Sequence, residues 1–273
     1  MQIIRKLDEL NEFLAPVWAD DNDLLAYVPT MGALHSGHVS LIHKAKEVAQ
    51  KIIVSIFVNP LQFGPNEDLD SYPRSIDEDI IKLWAAEIDY LYIPELTEVE
   101  LESLTKINAD REISKILCGK SRSGHFDGVC TIVNHFFKTI KPDFAVFGEK
   151  DFQQVKIIEQ MILEQAFNIT LIPAPIFREA SGLAMSSRNS YLDDQEKTQA
   201  AFIYESILKE KQLLEDLLFP PQEEQILNSI NTIKEKLSNA GFRVDYVEFH
   251  WSRIFVAAYL GNTRLIDNIE IVT

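Results

Sequence analysis

The segment from Val28 to His38 constrains the fold of this chain more than any other part of its sequence. An apolar run at residues 24–29 stops at a glycine turn, and His-x-Gly-His and apolar residues at helical spacing follow it. His35 and His38 therefore lie at the start of a predicted helix, where unpaired backbone N–H groups attract phosphate. Histidines three residues apart face the same side of the first turn, and each can donate a hydrogen bond to a polyphosphate. The segment predicts a nucleotide-binding turn, with a metal-binding pair or a helix cap as the alternatives.

Strand-like runs and helical patterns alternate over the first two thirds of the chain. The runs are residues 24–29, 52–58, 88–93, 144–147 and 169–173, and the helical patterns are residues 36–50, 75–86, 129–140 and 152–165. This alternation predicts an α/β fold, in which a Rossmann-like parallel sheet carries helices on both faces. Ligands of such sheets bind beyond the carboxyl ends of the strands. The polar motifs lie at these positions, because residues 35–38, 59–63 and 148–151 each follow a predicted strand.

The character of the sequence changes after about Arg178. Helices are predicted at residues 193–218 and 223–240, and strands at residues 242–250, 254–259 and 269–272. These elements are typical of a small α+β unit. We therefore predict two domains, a Rossmann-like domain at residues 1–176 and a smaller C-terminal α+β domain at residues 177–273.

Composition and charge limit the partners that the chain can have. Hydrophobic residues make up 46% of the 273 residues, which is enough for an ordinary core in one large or two modest domains. The net charge of −16, from 26 Lys and Arg against 42 Asp and Glu, repels polyanions, so we expect neither nucleic-acid nor anionic-membrane binding. Cys118 and Cys130 lack metal-type spacing, and the N-terminus lacks the apolar core of a signal peptide. The apolar runs are far shorter than the ~20 residues that span a bilayer, so we predict a cytoplasmic protein.

Two further segments carry groups that suit phosphate. Residues 184–189, Ala-Met-Ser-Ser-Arg-Asn, combine small hydroxyl side chains with Arg188, whose planar guanidinium can reach two phosphate oxygens. A helix cap with a surface arginine is the alternative there. Residues 147–154, Phe-Gly-Glu-Lys-Asp-Phe-Gln-Gln, follow a predicted strand, and Lys150 supplies a compact positive charge at that place.

Amide side chains accompany these motifs. Gln62 lies after the second predicted strand, and Gln153 and Gln154 begin the helix after the fourth. Amides both donate and accept hydrogen bonds, so they suit the hydroxyl and carboxylate groups of a polyol acid.

The paired phosphate motifs resemble the two signatures of the class I aminoacyl-tRNA-synthetase-like nucleotidyltransferases, in which a histidine motif and a mobile serine-rich loop hold the phosphates of ATP. Longer segments make the resemblance more specific, and together they look like the pantothenate synthetase family, the pantoate–β-alanine ligases. These segments are PTMGALHSGH, VSIFVNPLQFGPNEDLDSYPR, SGHFDGVCTIV, FGEKDFQQ, GLAMSSRNSYL and LGNTRLIDNI. The match runs from residue 28 to residue 192 and returns at residues 260–269.

The resemblance implies an ATP-dependent condensation of pantoate with β-alanine through pantoyl adenylate, with release of AMP and pyrophosphate. The catalytic residues that it implies are His38, as the proton donor, His35, Lys150 and Arg188. Gln62 and Gln154 would bind pantoate, and Gln62 would also bind β-alanine. The implied ATP-binding residues are Met31, Gly32, Ala33, Leu34, His35, Ser36, Gly37, His38, Gly148, Glu149, Lys150, Asp151, Phe177, Met185, Ser186, Ser187 and Arg188. The resemblance also implies a homodimer that uses Mg²⁺, for which the sequence shows no ligand set.

In this interpretation the N-terminal domain binds the nucleotide and pantoate, and the C-terminal domain is a lid that carries the Met-Ser-Ser-Arg-Asn loop. Three other interpretations stay open: a nucleotidyltransferase that passes AMP or CMP to a phosphate acceptor, a truncated tRNA synthetase, and a non-catalytic nucleotide sensor. The net charge and the lack of an evident anticodon-binding domain count against the synthetase. Lys150 and both histidines, which a sensor would have lost, are present.

Overall fold

The computed structural model describes residues 1–20, 22–65, 67–216 and 221–272. The chain divides into two compact units. The first unit comprises Met1–Glu149 and Gln153–Pro175, and the second comprises Lys150–Phe152 and Ile176–Thr273.

A six-stranded sheet forms the centre of the first unit. Its strands are β1 (Gln2–Ile4), β2 (Leu25–Thr30), β3 (Lys51–Ile56), β4 (Tyr90–Tyr92), β5 (Phe144–Gly148) and β6 (Thr170–Ala174). The order across the sheet is β1-β4-β3-β2-β5-β6, and every neighbouring pair is parallel. The chain order reverses between β2 and β5, and ligands of doubly wound sheets bind beyond the carboxyl ends of strands at such a switch point. The predicted α/β fold is confirmed.

Helices cover both faces of this sheet. They are α1 (Leu7–Trp18), α2 (Ser36–Lys46), α3 (Ile76–Ala85), the short α4 (Leu96–Val99), α5 (Arg111–Ser114) and α6 (Leu117–Ser121), then α7 (His125–Ile140) and α8 (Phe152–Glu164), with 3-10 turns at Pro60–Gln62 and Glu149–Asp151. On one face, Ile42 of α2 and Leu83 of α3 share an apolar cluster with Val28 of β2. On the other face, Tyr27 of β2 meets Phe136 of α7 edge to face, with ring centroids 6.4 Å apart. The alternation of side chains along β2 therefore supplies both faces of the core.

The sequence pattern does not predict α1 or β1. Helix α1 buries Leu10, Leu14 and Val17 at helical spacing, but Pro16 stands inside it. A proline in such a pattern normally indicates a helix end, and α1 does end two residues after it, at Trp18. Strand β1 has only three residues and forms the edge of the sheet beside β4.

The second unit is a small α+β fold, as predicted. Its elements are α9 (Asp194–Ala200), α10 (Phe202–Glu215), α11 (Glu223–Asn239), β7 (Arg243–His250), β8 (Arg253–Leu260) and β9 (Thr263–Glu270), with a 3-10 turn at Ser187–Tyr191. The three strands form an antiparallel sheet in the order β7-β8-β9. Ile207 of α10, Ile233 of α11 and Val256 of β8 are fully buried in one apolar cluster. The two longer helices and the sheet therefore share a core.

Two predicted elements of this unit are wrong in extent. The helix predicted at residues 193–218 is two helices, α9 and α10, interrupted at Ala201, and residues 217 and 218 lie outside the described residues. The strand predicted at residues 269–272 is the longer β9, Thr263–Glu270. Polar residues interrupt the apolar alternation of β9, so the sequence pattern does not predict its full length. These residues have partners in the structure, since Arg264 lies 2.8 Å from a carboxylate oxygen of Asp245. Strand β9 also pairs with β8 along its length.

The division between the units falls at Pro175 and Ile176, whereas the predicted domain boundary lies one residue later. The segment Lys150–Phe152 also groups with the second unit, although the predicted N-terminal domain includes it. Phe152 accounts for this grouping, because its ring lies 6.0 Å from the ring of Trp251 and 4.1 Å from the guanidinium carbon of Arg253.

Candidate active site

The turn after β2 is held at its start by the last residue of the strand. At its start, the Thr30 hydroxyl donates to the carbonyl of Ser55 at 2.7 Å and accepts from the N–H of Gly32 at 3.3 Å. Gly32 and Ala33 follow with φ values of 80° and 49°. Glycine suits the first of these left-handed positions, because a Cβ there would lie 3.1 Å from side-chain atoms of both Ile56 and Asp79.

The two predicted histidines lie together at the start of α2. His35 is the N-cap residue, and its ring centroid lies 4.1 Å from that of His38. The Gly37 N–H donates to Nδ1 of His35 at 3.1 Å, and the His35 N–H donates to Nδ1 of His38 at 3.3 Å. Since each Nδ1 accepts a hydrogen bond, we assign the ring proton of each neutral imidazole to Nε2. Both rings therefore act as caps through one nitrogen and keep an N–H donor on the other.

Asp79 of α3 is a site residue that the motifs do not predict. Its carboxylate is 1% exposed and accepts the N–H groups of Ala33, at 2.8 Å, and Leu34, at 2.7 Å. The ammonium of Lys82 donates to the carbonyl of Leu34 at 2.8 Å. Helix α3 therefore holds the backbone immediately before the histidine motif.

Gln62 lies at the end of the 3-10 turn that follows β3. Its side-chain oxygen accepts from Nδ2 of Asn59 at 3.2 Å, and its Nε2 donates to the sulfur of Met31 at 3.0 Å. Asn59 is buried and also donates to the carbonyl of Gly128 in α7 at 3.1 Å. The structure thus brings Gln62 against Met31 of the turn after β2, although the two residues are far apart in the sequence.

Gly128 allows the Gln62 turn to approach α7 closely. A Cβ at this position would lie 2.1 Å from the carbonyl oxygen of Leu61, a distance that no side chain could keep. The short distance explains why a glycine interrupts the buried face of a long helix.

A charged group at the start of α7 holds the backbone of Gln62. Arg122 makes two hydrogen bonds of 2.6 Å to the carboxylate of Glu67, and its Nη1 lies 2.9 Å from Nε2 of His125. A guanidinium can only donate, so Nε2 of His125 accepts, and Nδ1–H of His125 donates to the carbonyl of Gln62 at 2.7 Å. Arg122 outweighs the effect of burial and lowers the pKa of the Glu67 carboxyl below its usual range. The ion pair of Arg122 with Glu67 and the hydrogen bond from His125 therefore fix the turn that carries Gln62.

The two glutamines at the start of α8 have different surroundings. Gln153 is buried, and its Nε2 donates to the carbonyls of Ile113 and Ile116 at 2.8 and 2.7 Å. It therefore serves the packing of the helices before α7. Gln154 is half-buried, as a residue that meets a ligand can be.

The remaining predicted residues lie in two segments. Of the first segment, Gly148 and Glu149 belong to the first unit, and Lys150 and Asp151 belong to the second. In the first, the Lys150 ammonium lies 3.2 Å from a carboxylate oxygen of Asp151, and Nδ2 of Asn268 donates to the Lys150 carbonyl at 3.2 Å. The second segment is a hairpin, in which the Met185 N–H donates to the carbonyl of Phe177 at 3.0 Å. The ring of Phe177 is exposed.

Arg178 anchors this hairpin to β9. It makes a bidentate pair with the buried carboxylate of Asp267, at 2.6 and 2.8 Å, and its guanidinium lies over the ring of Tyr204 at 3.7 Å. Burial raises the pKa of Asp267 and outweighs the opposing hydrogen bonds from Arg178. The bidentate pair and the contact with the Tyr204 ring thus fix the segment that leads into the serine-rich loop.

The serine-rich loop itself is a capped 3-10 turn. The Ser186 hydroxyl accepts from the N–H of Arg188 at 3.3 Å, and Ser187 and Arg188 belong to the turn. Asn189 is buried and donates to the side chain of Glu179 and to the carbonyl of Ala184 at 3.2 and 3.1 Å. The side chains of Met185 to Arg188 remain half-buried, which is compatible with a ligand-binding loop.

Neither a metal centre nor a membrane span is found in the part of the chain that the structure describes. No group of three or more His, Cys, Asp or Glu side chains is arranged to hold a metal ion among these residues. None of their helices is long and apolar enough to cross a membrane.

A parallel sheet with its switch point at β2 and β5, together with a histidine-bearing helix start after β2, is typical of the nucleotide-binding class of α/β proteins. Comparison with known proteins is more specific. Residues 2–270 match the family model described as pantoate-beta-alanine ligase. The chain is 42% identical to the pantothenate synthetase of a Psychrobacter species, over 97% of both proteins, and 38% identical to that of Thermosipho africanus, over 99% of this chain and all of the relative.

Solved structures agree with the sequence comparison. The pantothenate synthetase of Thermus thermophilus superposes with a TM-score of 0.88 at 31% identity and covers 100% of both chains. The pantoate–β-alanine ligase of Francisella tularensis, in a complex with β,γ ATP and β-alanine, has a TM-score of 0.83 at 37% identity and covers 100% of this chain and 98% of its own. The chain belongs to the pantoate–β-alanine ligase family.

The family fixes the reaction. The protein is an ATP-dependent carbon–nitrogen ligase that condenses pantoate with β-alanine to give pantothenate, through pantoyl adenylate and with release of AMP and pyrophosphate. The resemblance drawn from the sequence motifs is thereby confirmed.

Proposed function

We propose that His35 and His38 serve this reaction by donating hydrogen bonds from Nε2–H to the phosphates of ATP, with His38 as the catalytic proton donor. The observation that carries the proposal is the pair of backbone N–H groups that occupy both Nδ1 atoms, at 3.1 and 3.3 Å. These contacts leave Nε2–H as the donor of each neutral ring. Donors that are already oriented need no reorganisation when charge develops on the phosphates.

The chemistry needs such donors in its first step. A carboxylate oxygen of pantoate attacks the α-phosphorus of ATP, and the bond from that phosphorus to pyrophosphate breaks. In the second step the neutral amine of β-alanine attacks the acyl carbon of pantoyl adenylate, AMP leaves, and the nitrogen loses a proton as the amide forms. Negative charge grows on the leaving pyrophosphate in the first step, where hydrogen-bond donors and cations stabilise it most.

We infer that Gln62 and Gln154 bind pantoate and that Gln62 also binds β-alanine. The support for Gln62 is the chemistry of its partner: Nε2 donates to the sulfur of Met31, and a thioether is a weak acceptor. A hydroxyl or carboxylate oxygen of the substrate can therefore replace the sulfur with a gain in hydrogen-bond strength. The side-chain oxygen stays bonded to Asn59 and keeps the amide oriented.

The remaining predicted residues are proposed ATP ligands. Lys150 and Arg188 supply positive charge for the phosphates. Backbone or side-chain groups of the other positions line the nucleotide. These positions are Met31, Gly32, Ala33, Leu34, Ser36, Gly37, Gly148, Glu149, Asp151, Phe177, Met185, Ser186 and Ser187. Because the N–H groups of Ala33 and Leu34 donate to Asp79, these two residues would meet ATP through other atoms.

Three broader features are also proposed. Mg²⁺ enters as part of the substrate, bound to the phosphates of ATP, because this ion keeps most of its shell as phosphate oxygens and water. The protein is a homodimer, and it works in the cytoplasm. The domain at residues 1–176 binds the nucleotide and pantoate, and the domain at residues 177–273 is a lid that carries the Met-Ser-Ser-Arg-Asn loop.

The test of the histidine roles is exchange of labelled pyrophosphate into ATP with pantoate but without β-alanine. We expect His38→Ala to slow this exchange by about a hundredfold or more, the loss typical of one oriented donor to a developing charge. His43→Ala is the matched control, because His43 lies exposed on the same helix, and its exchange should equal that of the wild type. Exchange at the wild-type rate in His38→Ala would exclude the proposed role of this residue.

A further inference from the structure

Asp79 is a charged residue on an apolar face. Ile76, Ile80 and Leu83 of α3 pack against the apolar cluster of the first unit, and Asp79 lies on the same side of the helix, 1% exposed. Burial of a carboxylate costs free energy unless its oxygens accept hydrogen bonds. The partners of Asp79 therefore indicate its role.

These partners belong to the turn after β2, at residues 32–34. Each carboxylate oxygen accepts one backbone N–H, from Ala33 at 2.8 Å and from Leu34 at 2.7 Å, and the Ser75 hydroxyl lies 3.3 Å from the second oxygen. Two N–H groups of the turn thus point at a carboxylate of the protein. Hydrogen bonds to a charged acceptor are about twice as strong as those between neutral groups, so Asp79 restrains the turn firmly.

The turn needs such a restraint because its backbone is strained. Ala33 has a φ of 49°, in the left-handed region that is unfavourable for a residue with a Cβ. Such a conformation persists only where the surroundings determine it. The Asp79 carboxylate fixes this conformation, because it accepts hydrogen bonds from the N–H groups of both Ala33 and Leu34.

Lys82 completes the restraint one turn further along α3. Its ammonium donates to the Leu34 carbonyl at 2.8 Å and lies 4.0 Å from the carboxylate of Asp79. Both backbone polar groups of Leu34 are therefore bonded to α3. The next residue, His35, is the N-cap of α2.

We propose that Asp79 is a positioning residue for adenylate formation. It fixes the turn at residues 32–34 and so sets the direction of the Nε2–H groups of His35 and His38 toward the phosphates of ATP. It acts through the two histidines and does not contact substrate, so the inference rests on the function proposed for them.

The test measures the two chemical steps separately in Asp79→Asn. Asparagine keeps the shape but turns an NH₂ group toward one backbone N–H, so one hydrogen bond is lost and two donors face each other. We expect adenylate formation, measured by pyrophosphate exchange, to become about ten- to a hundredfold slower, because misplaced reacting groups cause losses of this size. Attack of β-alanine on supplied pantoyl adenylate should change by less than about twofold, because the leaving pyrophosphate, whose growing charge the two histidines are proposed to stabilise, takes no part in that step.

Asp77→Asn is the matched control, because Asp77 is exposed on the same helix, and it should leave both steps unchanged. Hydrogen exchange at the N–H groups of Ala33 and Leu34 should become faster in Asp79→Asn. Equal slowing of both steps would reduce Asp79 to a structural role and overturn the proposal, and so would an unchanged rate of exchange of pyrophosphate.

Two further variants test the proposal if Asp79→Asn does not fold. Ser75→Ala and Lys82→Met keep the carboxylate but each remove one contact of the restraint. Each should slow adenylate formation severalfold without affecting the second step, and wild-type rates in both would overturn the proposal. His38→Ala separates the two inferences: if it forms the adenylate normally, the proposed function fails, whereas a slow His38→Ala beside a normal Asp79→Asn refutes only the positioning role.

Discussion

Lys150 lies beside the carboxylate of Asp151 in a segment that ends with the anchored ring of Phe152. A cation placed for charge that develops in the transition state affects turnover more than binding. We expect Lys150→Ala to lower kcat about a hundredfold, roughly 3 kcal/mol of transition-state stabilisation, while circular dichroism shows an intact fold. Lys156→Ala, which removes a lysine paired with Glu159 on α8, should leave kcat unchanged. Normal turnover in Lys150→Ala would remove this residue from the mechanism.

Gln154 gives a prediction about the acid substrate. A substrate hydroxyl that loses its buried partner costs about 1 to 3 kcal/mol, so Gln154→Ala should lower kcat/KM for pantoate about five- to a hundredfold. Calorimetric titration should show weaker binding of pantoate and unchanged binding of ATP. The control is Gln160→Ala, further along the same helix, whose amide donates to Glu164. An equal loss of affinity for both ligands would show that Gln154 is not a dedicated pantoate contact.

At the residue scale, sequence motifs predict the groups that we propose to face a ligand, but they do not predict the groups that hold the backbone of the candidate site in place. His35 and His38 are predicted at a helix start and lie there. Asp79, Arg122 and His125 are not predicted, because each acts on a backbone group far away in the sequence. One signal for Asp79 exists in the sequence: a carboxylate at the spacing of Ile76, Ile80 and Leu83 falls on the apolar face of α3.

At the scale of elements, the ion pair between Glu67 and Arg122, which lies between α6 and α7, makes stability depend on pH. Arg122 lowers the pKa of Glu67 from its usual 4.5, so the pair stabilises the fold above that value, and its contribution disappears as the pH falls through the lowered pKa. We expect urea unfolding to show Glu67→Gln to be less stable than the wild type near neutral pH. The difference should vanish in acid.

The control for this dependence is Glu112→Gln. Glu112 pairs with Lys115 at 2.8 Å, but both side chains are well exposed, and such pairs contribute little at any pH. A stability difference between Glu67→Gln and the wild type that is constant from neutral to acid pH would contradict the ionic origin of the effect.

Helices and strands are predicted where apolar periodicity is uninterrupted. Strand β3 and helix α8 are recovered within a few residues. Helix α1 and strand β9 are not, since Pro16 interrupts the first pattern and Asp267 interrupts the second. Asp267 is compatible with a buried strand only because Arg178 pairs with it from a hairpin 89 positions away. A long-range pair of this kind leaves no periodic signal in the sequence.

For the whole molecule, the alternation of strands and helices predicts the α/β class but not the order of strands in the sheet. The position of β2 beside β5 follows from pairing between residues that are far apart in the chain, such as Ala26 and Phe144. No local pattern records such a pairing, although right-handed connections restrict the number of orders.

The proposed homodimer is the prediction at this scale. Ile81 and Trp84 of α3 are 68% and 66% exposed, and apolar side chains of this size on a surface favour association. We expect sedimentation equilibrium to give a mass near twice the 31.2 kDa of one chain. High salt should not dissociate the assembly, because apolar contacts are not screened. A monomer at micromolar concentration would contradict the proposal.

Gly128 shows how the specificity of a binding site can depend on an atom that is missing. The residue is not one of the proposed binding residues, yet a single methyl group there would collide with the carbonyl of Leu61 and push Gln62 out of place. One inherited nucleotide change in the codon of this glycine could therefore abolish the recognition of pantoate while every proposed binding residue stayed intact. A comparison of binding residues alone would score such a variant as functional.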